Sequence, residues 1–169
     1  MLPDILAPGL NIVFCGTAAG RASAARGHYY AGRGNRFWAL LAEVGLTPRQ
    51  LRPEEDYLMP TFGLGLTDLA KGVAGMDHEI PDAAFTPARL AEVMSEFRPK
   101  GLAFTSLKAG RTALRDRKLA AGHRGEDPRW PGTEIWILPS PSGAARGSFQ
   151  LGPWREISAW ARRARPTAN

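Results

Sequence analysis

The chain of 169 residues has one cysteine and three histidines, and this scarcity removes several classes of site. The lone Cys15 cannot form an internal disulfide, and it also excludes an iron–sulfur cluster held by four cysteines. The histidines, His28, His78 and His123, lack the spacing of metal ligands. We therefore expect neither a metal nor any other cofactor.

Long apolar segments are also missing. No apolar run approaches the roughly 20 residues that cross a bilayer, and the N-terminus lacks the basic region and apolar core of a signal peptide. The length is that of one domain, residues 1–169, and 44% hydrophobic with 22% charged residues is ordinary for a globular protein. We expect a cytoplasmic monomer without membrane contact.

Acidic residues are outnumbered by basic ones, and the formal net charge is +6. Most of the positive charge is arginine, whose planar fork donates paired hydrogen bonds to phosphate. A basic domain of this size favours a nucleic-acid partner. The alternative is a genome rich in G and C, whose codons favour arginine, and charge alone does not decide between the two.

Apolar strand patterns alternate with helical patterns along the chain. Strands are predicted at residues 10–15, within 61–69, at 101–106 and at 134–138. Helices are predicted from Asn35 to Gly45, from Thr86 to Pro99, over 108–119 and over about 152–163. Loops are predicted at 20–34 and 121–133, and a loop or short helix at 46–60. This alternation predicts a single three-layer αβα domain with a central, mostly parallel sheet.

Two strand-to-loop junctions have the same form. Residues 16–20 (Gly-Thr-Ala-Ala-Gly) follow the first apolar run, and residues 138–143 (Leu-Pro-Ser-Pro-Ser-Gly) follow the last one. They lie about 120 residues apart, and open α/β sheets build one crevice from such junctions at the carboxyl ends of their strands. We therefore expect both junctions to line a single site.

Four segments carry a resemblance to a known family. They are residues 4–10 (Asp-Ile-Leu-Ala-Pro-Gly-Leu), 13–16 (Val-Phe-Cys-Gly), 35–38 (Asn-Arg-Phe-Trp) and 138–143 with Arg146. In this order they resemble the mismatch-specific uracil-DNA glycosylases, the bacterial relatives of thymine-DNA glycosylase within the uracil-DNA glycosylase superfamily. The resemblance covers nearly the whole chain. It implies that a uracil nucleotide is flipped out of DNA and its base removed by hydrolysis, which leaves an abasic site.

The resemblance also implies roles for residues of the first junction and the loop after it. The backbones of Thr17 and Tyr30 would hydrogen-bond the base, and the Tyr30 ring would stack on it. Ala18 and Ser23 would line the base pocket. The alternatives are a loop aromatic that covers the core for Tyr30, and a solvated loop serine for Ser23.

The chief departure from the family is at Ala18. The family motif is Gly-Ile-Asn-Pro-Gly, and its asparagine holds the catalytic water, whereas Ala18 has no polar atom. Asp68 lies in residues 65–69 (Gly-Leu-Thr-Asp-Leu), which resemble a pocket-lining stretch of the family. We expect Asp68 to hold or activate water and to stabilise positive charge on the sugar. The alternative is an aspartate that caps the turn after a strand.

Residues 75–79 (Gly-Met-Asp-His-Glu) offer a second acidic candidate. Asp77 with His78 would make an acid–base pair, but the stretch is more simply interpreted as a mobile loop. We therefore expect it to carry no catalytic group.

The second junction departs from the family as well. Ser140 replaces an asparagine and has a shorter reach to the base, while Ser142 and Gly143 are expected to approach a DNA phosphate. The family wedge position holds Ala144, which is too small to unstack DNA. We expect weaker dependence on the opposite base and activity on single strands. Arg146 matches an arginine near the opposite strand, with a solvated arginine as the alternative. Further candidate phosphate contacts are Arg33, Lys108 and Arg111.

Three classes of function follow from these patterns. The first is a monofunctional uracil-DNA glycosylase, with other damaged bases or mismatched thymine left open as substrates. The second is a catalytically impaired protein that binds uracil or abasic DNA, which the substitutions at Ala18 and Ser140 suggest. The third is an unrelated nucleotide-binding α/β protein, but the glycine turn lacks the P-loop lysine and the dinucleotide glycine pattern.

Overall fold

The computed structural model describes residues 2–164, apart from the side chains of Arg146 and Ser148. Its strands are β1 (Ile12–Gly16), β2 (Leu64–Asp68), β3 (Gly101–Phe104), β4 (Gly122–Glu126) and β5 (Glu134–Ile137). Its α-helices are α1 (Arg21–Arg26), α2 (Phe37–Glu43), α3 (Pro87–Phe97), α4 (Leu107–Leu114) and α5 (Gly152–Ala164). Short 3-10 helices span Pro53–Phe62, Asp77–Glu79, Asp82–Ala84 and Gly143–Ser148.

The strands form one sheet in the order β2-β1-β3-β5-β4. Neighbours are parallel from β2 to β5, and β4 is antiparallel at the edge. The chain crosses from β1 to β2 on one side and reaches β3 on the other side of β1. A reversal of this kind opens a crevice at the carboxyl ends of the strands beside β1.

Two apolar layers cover the sheet. Successive side chains of a strand point to opposite faces, so Ile12 and Phe14 join the core formed with α2 and α5, and Val13 and Cys15 join the core formed with α3 and α4. All five residues of β1 are buried. The predicted three-layer αβα arrangement with a mostly parallel sheet is confirmed.

The helices with clear boundary signals are confirmed. Helix α3 starts after Thr86 with Pro87 in its first turn, and it ends where Arg98 adopts a φ of 45°. Helix α5 buries Trp154 and Ile157 against the sheet. No helix within residues 2–164 combines the length and the apolarity needed to cross a bilayer.

Two predicted loops contain regular structure. Within 20–34 the structure has α1, because Arg-Ala-Ser-Ala-Ala-Arg is rich in helix formers, although Gly20 and Gly27 bound it on both sides. Within 121–133 it has β4, which is antiparallel and half exposed, so it carries no apolar pattern. The helix predicted over 108–119 is shorter, since Arg115 turns left-handed with a φ of 53°.

The N-terminal segment covers the outer edge of β2. Ile5 forms an isolated antiparallel bridge with Leu66, and the two backbone hydrogen bonds between them measure 2.9 and 2.8 Å. An edge strand left open would expose unpaired backbone groups. The bridge also carries Asp4 to the end of the sheet where the cleft opens.

A close approach at Gly101 supports a test of how the sheet packs on α5. A Cβ at Gly101 would lie 2.7 Å from the Trp160 ring and 3.2 Å from the Asn11 carbonyl oxygen. We expect Gly101→Ala to lower the free energy of unfolding by about 1–3 kcal/mol, as overpacked cores do. Urea denaturation measures the loss.

The control is Gly32→Ala, where no atom of the described residues lies within 4 Å of an added Cβ. Its free energy of unfolding should change by about 0.5 kcal/mol or less. Equal losses in the two variants would contradict the packing of Trp160 on Gly101.

Candidate functional site

A cleft of about 530 Å³ opens at the carboxyl ends of the four parallel strands. Thr17 enters it after β1, Asp68 at the end of β2, Thr105 after β3 and Ser140 after β5. The two junctions therefore meet in one site, as expected. The predicted site residues that line the cleft are Thr17, Ala18, Ser23, Tyr30, Asp68, Ser140, Ser142 and Ala144.

Asp68 is the buried acid of the cleft, with 5% of its surface exposed. The sheet register places it beside Gly16, where an added Cβ would lie only 2.7 Å from Asp68 Oδ1 and 3.3 Å from the Tyr30 hydroxyl. The other oxygen, Oδ2, lies 3.6 Å from Lys71 Nζ. No hydrogen bond from the rest of the described chain reaches Oδ1, so this oxygen remains able to bind a ligand or a water.

Lys71 is held by two oxygen atoms besides the Asp68 carboxylate. Its ammonium donates to the Tyr29 hydroxyl at 2.8 Å and lies 3.1 Å from Asp4 Oδ1. The Tyr29 hydroxyl in turn donates to the Pro3 carbonyl at 2.9 Å. These contacts fix the ammonium beneath the cleft, next to the acid.

Arg89 from α3 joins the N-terminal segment to the end of β2. Its guanidinium donates to Asp4 Oδ2 at 2.6 Å, to Thr67 Oγ1 at 2.6 Å and to the Asp68 carbonyl at 2.7 Å. The Thr67 hydroxyl donates to Asp4 Oδ1 at 2.7 Å. One arginine thus connects a helix, a strand end and the N-terminal segment around Asp68.

The two carboxyl groups of this network have opposite shifts of pKa. Burial raises the pKa of Asp68 to about 7, against the opposing charge of Lys71 and with a smaller contribution from Asp4. Burial would also raise the pKa of Asp4, but hydrogen bonds from Arg89 and Thr67 outweigh it and the pKa is lowered. Asp4 therefore stays ionised while Asp68 titrates near neutral pH, where general bases are effective.

Tyr30 forms an aromatic wall of the cleft. Its backbone is left-handed with a φ of 50°, which is uncommon outside glycine. Its ring stacks on Phe37 with centroids 3.9 Å apart, and its hydroxyl shares a 2.9 Å hydrogen bond with Thr105 Oγ1. Burial, with the charge of Asp68, raises the pKa of Tyr30, so the phenol stays neutral. The ring both covers the core and lines the cleft.

Two backbone donors remain unused at the cleft. Within residues 2–164, neither the Thr17 nor the Tyr30 N–H donates to a backbone carbonyl, although the Thr17 carbonyl accepts from Ala70 at 2.8 Å. Both residues line the cleft. Their N–H groups are therefore available to a ligand.

The segment predicted as a mobile loop is anchored to the first junction, which corrects that expectation. Residues 77–79 form a 3-10 helix, the Gly75 N–H donates to the Ala19 carbonyl at 3.0 Å, and Thr17 Oγ1 donates to Asp77 Oδ1 at 2.6 Å. Asp77 and His78 line the cleft. No pattern in residues 75–79 predicts this fold-back, because it depends on contacts made across the site.

The predicted serines have local structural partners. Ser23 is buried, and its Oγ accepts from the Ala31 N–H at 2.9 Å, so the solvated alternative is wrong. Ser140 Oγ accepts from the Ser142 N–H at 3.2 Å and shapes the second junction. Whether either serine contacts a base stays a prediction.

The remaining residues of the second junction lie at the rim. Gly143 packs on the other loop, since a Cβ there would be 3.4 Å from the Gly34 carbonyl. Ala144 is exposed and lines the cleft mouth. The side chain of Arg146 lies outside the described residues, so its predicted position is not tested.

Other predicted polar contacts lie away from the cleft lining. Lys108 is exposed, with its ammonium 5.5 Å from the Phe85 ring centroid. Arg111 donates to the Leu119 carbonyl at 3.1 Å, which is a structural role. Arg33 is exposed and lines a groove beside the cleft.

Sequence reasoning missed Lys71 and Thr105. Thr105 directly follows β3, as Thr17 directly follows β1, but the strand predicted at 101–106 included Thr105 and so hid its place at the cleft. Lys71 gave no signal, since its partners come from distant segments. Within the described chain, no group of three or more His, Cys, Asp or Glu side chains is arranged to hold a metal ion.

Two comparisons show which known proteins the chain is similar to. The family model of the uracil DNA glycosylase superfamily matches residues 3–163. A solution NMR structure of a candidate uracil DNA glycosylase from Methanosarcina acetivorans is similar, with a TM-score of 0.68 and 23% identity over 96% of this chain and 95% of that one. At that identity the similarity shows the fold alone.

The close approach of Asp68 to Gly16 can be tested without an activity assay. In Gly16→Ala the added methyl must displace the carboxylate, which we expect to gain solvent and to titrate at lower pH than in the wild type, where its pKa is about 7. Carbon-13 NMR titration of the Asp68 carboxyl measures this, with the resonance assigned by Asp68→Asn.

Gly20→Ala is the matched control in the same loop. Among described residues, no atom comes within 4 Å of a Cβ at Gly20. The carboxyl should titrate in this variant as it does in the wild type. An unchanged titration in Gly16→Ala would mean that Asp68 is not packed against Gly16.

Proposed function

The chain belongs to the uracil DNA glycosylase superfamily, and from this premise we propose that it is a monofunctional DNA repair glycosylase that hydrolyses uracil from DNA. The motifs at residues 4–10, 35–38 and 138–143 favour the mismatch-specific branch. The observation that carries the proposal is Asp68, a buried acid with one oxygen turned toward a cleft that four strand ends enclose.

Base recognition uses the backbone and one ring. A base inside a duplex cannot reach the cleft, so the nucleotide is flipped into it. The unused N–H groups of Thr17 and Tyr30 are suited to the uracil carbonyl oxygens. The ring of Tyr30 has one face on Phe37 and offers the other for stacking on the base.

Hydrolysis uses Asp68 as the group that positions and activates water. As the bond between C1′ and N1 breaks, its electron pair leaves with uracil, and the backbone N–H groups stabilise the resulting anion. The ionised Asp68 stabilises positive charge on the sugar, and Oδ1 accepts a proton from the water that adds to C1′. Asp68 in this role supplies what Ala18 lacks.

The rim of the cleft is the proposed contact with the DNA backbone. Ser142 lines the cleft there and the exposed Gly143 follows it, so they offer hydroxyl and N–H donors for a phosphate. Arg146 and Lys108 are the basic residues proposed to extend this contact. With a net charge of +6 on the chain, binding should weaken as salt rises.

The Asp68 role is tested by cleavage of a labelled uracil oligonucleotide after alkali treatment. We expect Asp68→Asn and Asp68→Ala to cleave about 100-fold more slowly or worse, since general acid–base groups contribute that much. Asp77→Asn is the matched control, because it changes the other carboxylate of the cleft while keeping an oxygen for Thr17. It should retain most of the activity.

Two other outcomes of the cleavage assay would contradict the proposal. Asp68 variants that stay active would show that the assignment is wrong. A wild type that binds uracil DNA and never cuts it would replace the enzyme with the catalytically impaired binding protein, which the substitutions at Ala18 and Ser140 suggest.

The charge of Lys71 should set the pH dependence of cleavage. Lys71 lowers the pKa of Asp68 against the effect of burial. In Lys71→Met that pKa rises, so less Asp68 is ionised at neutral pH. The acidic limb of the pH–rate profile should therefore move to higher pH, and the rate should recover as the pH is raised further.

An exposed lysine provides the comparison for this profile. Lys118→Met removes the same charge at an exposed position, and the acidic limb of its pH–rate profile should lie at the same pH as in the wild type. A limb that stays in place in Lys71→Met would show that Asp68 ionisation does not limit cleavage.

A further inference from the structure

One apolar side chain stands exposed at the mouth of the cleft. Met76 is 52% exposed and lines the cleft. Among large apolar side chains of the described residues, only Tyr57 shares this exposure, at 68%, and it lies on the 3-10 helix Pro53–Phe62, outside the cleft lining. A single exposed apolar residue is ordinary on a surface, so Met76 is distinguished by its position at the cleft mouth and not by its exposure.

The backbone that carries Met76 is fixed to the first junction, which lines the cleft. Ala74 pairs with Ala19 as an isolated bridge, and Gly75 donates to the Ala19 carbonyl at 3.0 Å. The Met76 N–H donates to Glu79 Oε1 at 3.0 Å, which closes the turn. Met76 therefore projects from a point that is set relative to the first junction.

The two acidic neighbours of Met76 are both engaged by the protein. Asp77 accepts from the Thr17 hydroxyl, and Glu79 forms an ion pair with Arg21. The thioether chain is thus the apolar group that this segment presents at the mouth. Methionine is unbranched and adaptable, so it fits an irregular gap between bases.

Among the described side chains that line the cleft after β5, none is long and apolar. Met76 follows β2 and Ala144 follows β5, and β1 and β3 lie between these two strands. Flipping a nucleotide leaves a gap in the stack and costs a few kcal/mol of unstacking. Apolar side chains, methionine among them, offset this cost by entering between base steps, whereas the methyl of Ala144 is too short to do so.

We propose that Met76 is the side chain that enters the base stack when uracil is flipped into the cleft. The inference rests on the proposed glycosylase function. It assigns the wedge to the wall built after β2 instead of the wall built after β5. It also changes the expectation drawn from Ala144 alone, because duplex uracil then remains a good substrate.

Comparison of duplex and single-stranded substrates tests the role of Met76. A wedge acts only where bases are stacked, so Met76→Ala should cleave uracil in a duplex about 10-fold more slowly, the rate equivalent of roughly 1.4 kcal/mol. The same oligonucleotide as a single strand should be cleaved at the wild-type rate. Met76→Leu should restore duplex cleavage, and Tyr57→Ala, the other exposed apolar residue, should match the wild type on both substrates.

A second readout separates this inference from the proposed function. A duplex with uncleavable 2′-fluoro-2′-deoxyuridine beside 2-aminopurine reports flipping by a rise in fluorescence without any cleavage. The rise should occur with the wild type and Met76→Leu and be lost with Met76→Ala. A wild type that gives the rise without cleaving uracil would remove the enzyme proposal and leave the wedge standing.

Three results would overturn the assignment of Met76. They are undiminished duplex cleavage in Met76→Ala, equal losses on duplex and single strand, and an undiminished fluorescence rise. Equal losses would place Met76 in the base pocket instead of the stack.

Discussion

The cost of burying the Asp68 carboxylate is the constraint on which the rest of the site depends. An ionised acid is expensive to remove from water unless other groups pair with it. Lys71 meets one of its oxygens, and Arg89 bonds its backbone, while Asp4 accepts from both cations. These groups come from the N-terminal segment, from α3 and from the turn after β2, so the folded chain is needed to hold the acid in place.

The parallel sheet explains why this acid faces a cleft at all. Carboxyl ends of parallel strands lie at one edge, and the reversal of chain direction around β1 leaves a crevice there. The register then sets Gly16 against Asp68, and the absence of a side chain at Gly16 leaves space for the carboxylate. The glycine of the first junction is thus explained by the acid on the neighbouring strand as much as by the turn it begins.

Membership of the superfamily does not by itself specify the chemistry, since functional groups are carried by sites and not by folds. Ala18 stands where the mismatch-specific family has the asparagine of its motif, on the loop after β1. Asp68 places a carboxylate one strand away in the same cleft. At the cleft mouth, Ala144 carries only a methyl group, whereas Met76 presents a longer apolar side chain on the wall after β2. In both cases one wall of the cleft has only an alanine methyl, and another wall presents the larger side chain.

The sequence by itself determined the fold class, the strands β1, β3 and β5, the helices α3 and α5, and the meeting of the two junctions. Apolar periodicity and helix boundary signals are local, so they are visible without contacts. Helix α1 and strand β4 were not predicted. Helix α1 is short and flanked by glycine, and strand β4 is half exposed and carries no apolar pattern. Only the tertiary structure decided which charges surround Asp68, because Asp4 and Arg89 are 85 positions apart and become partners only when α3 and the N-terminal segment pack against the end of β2.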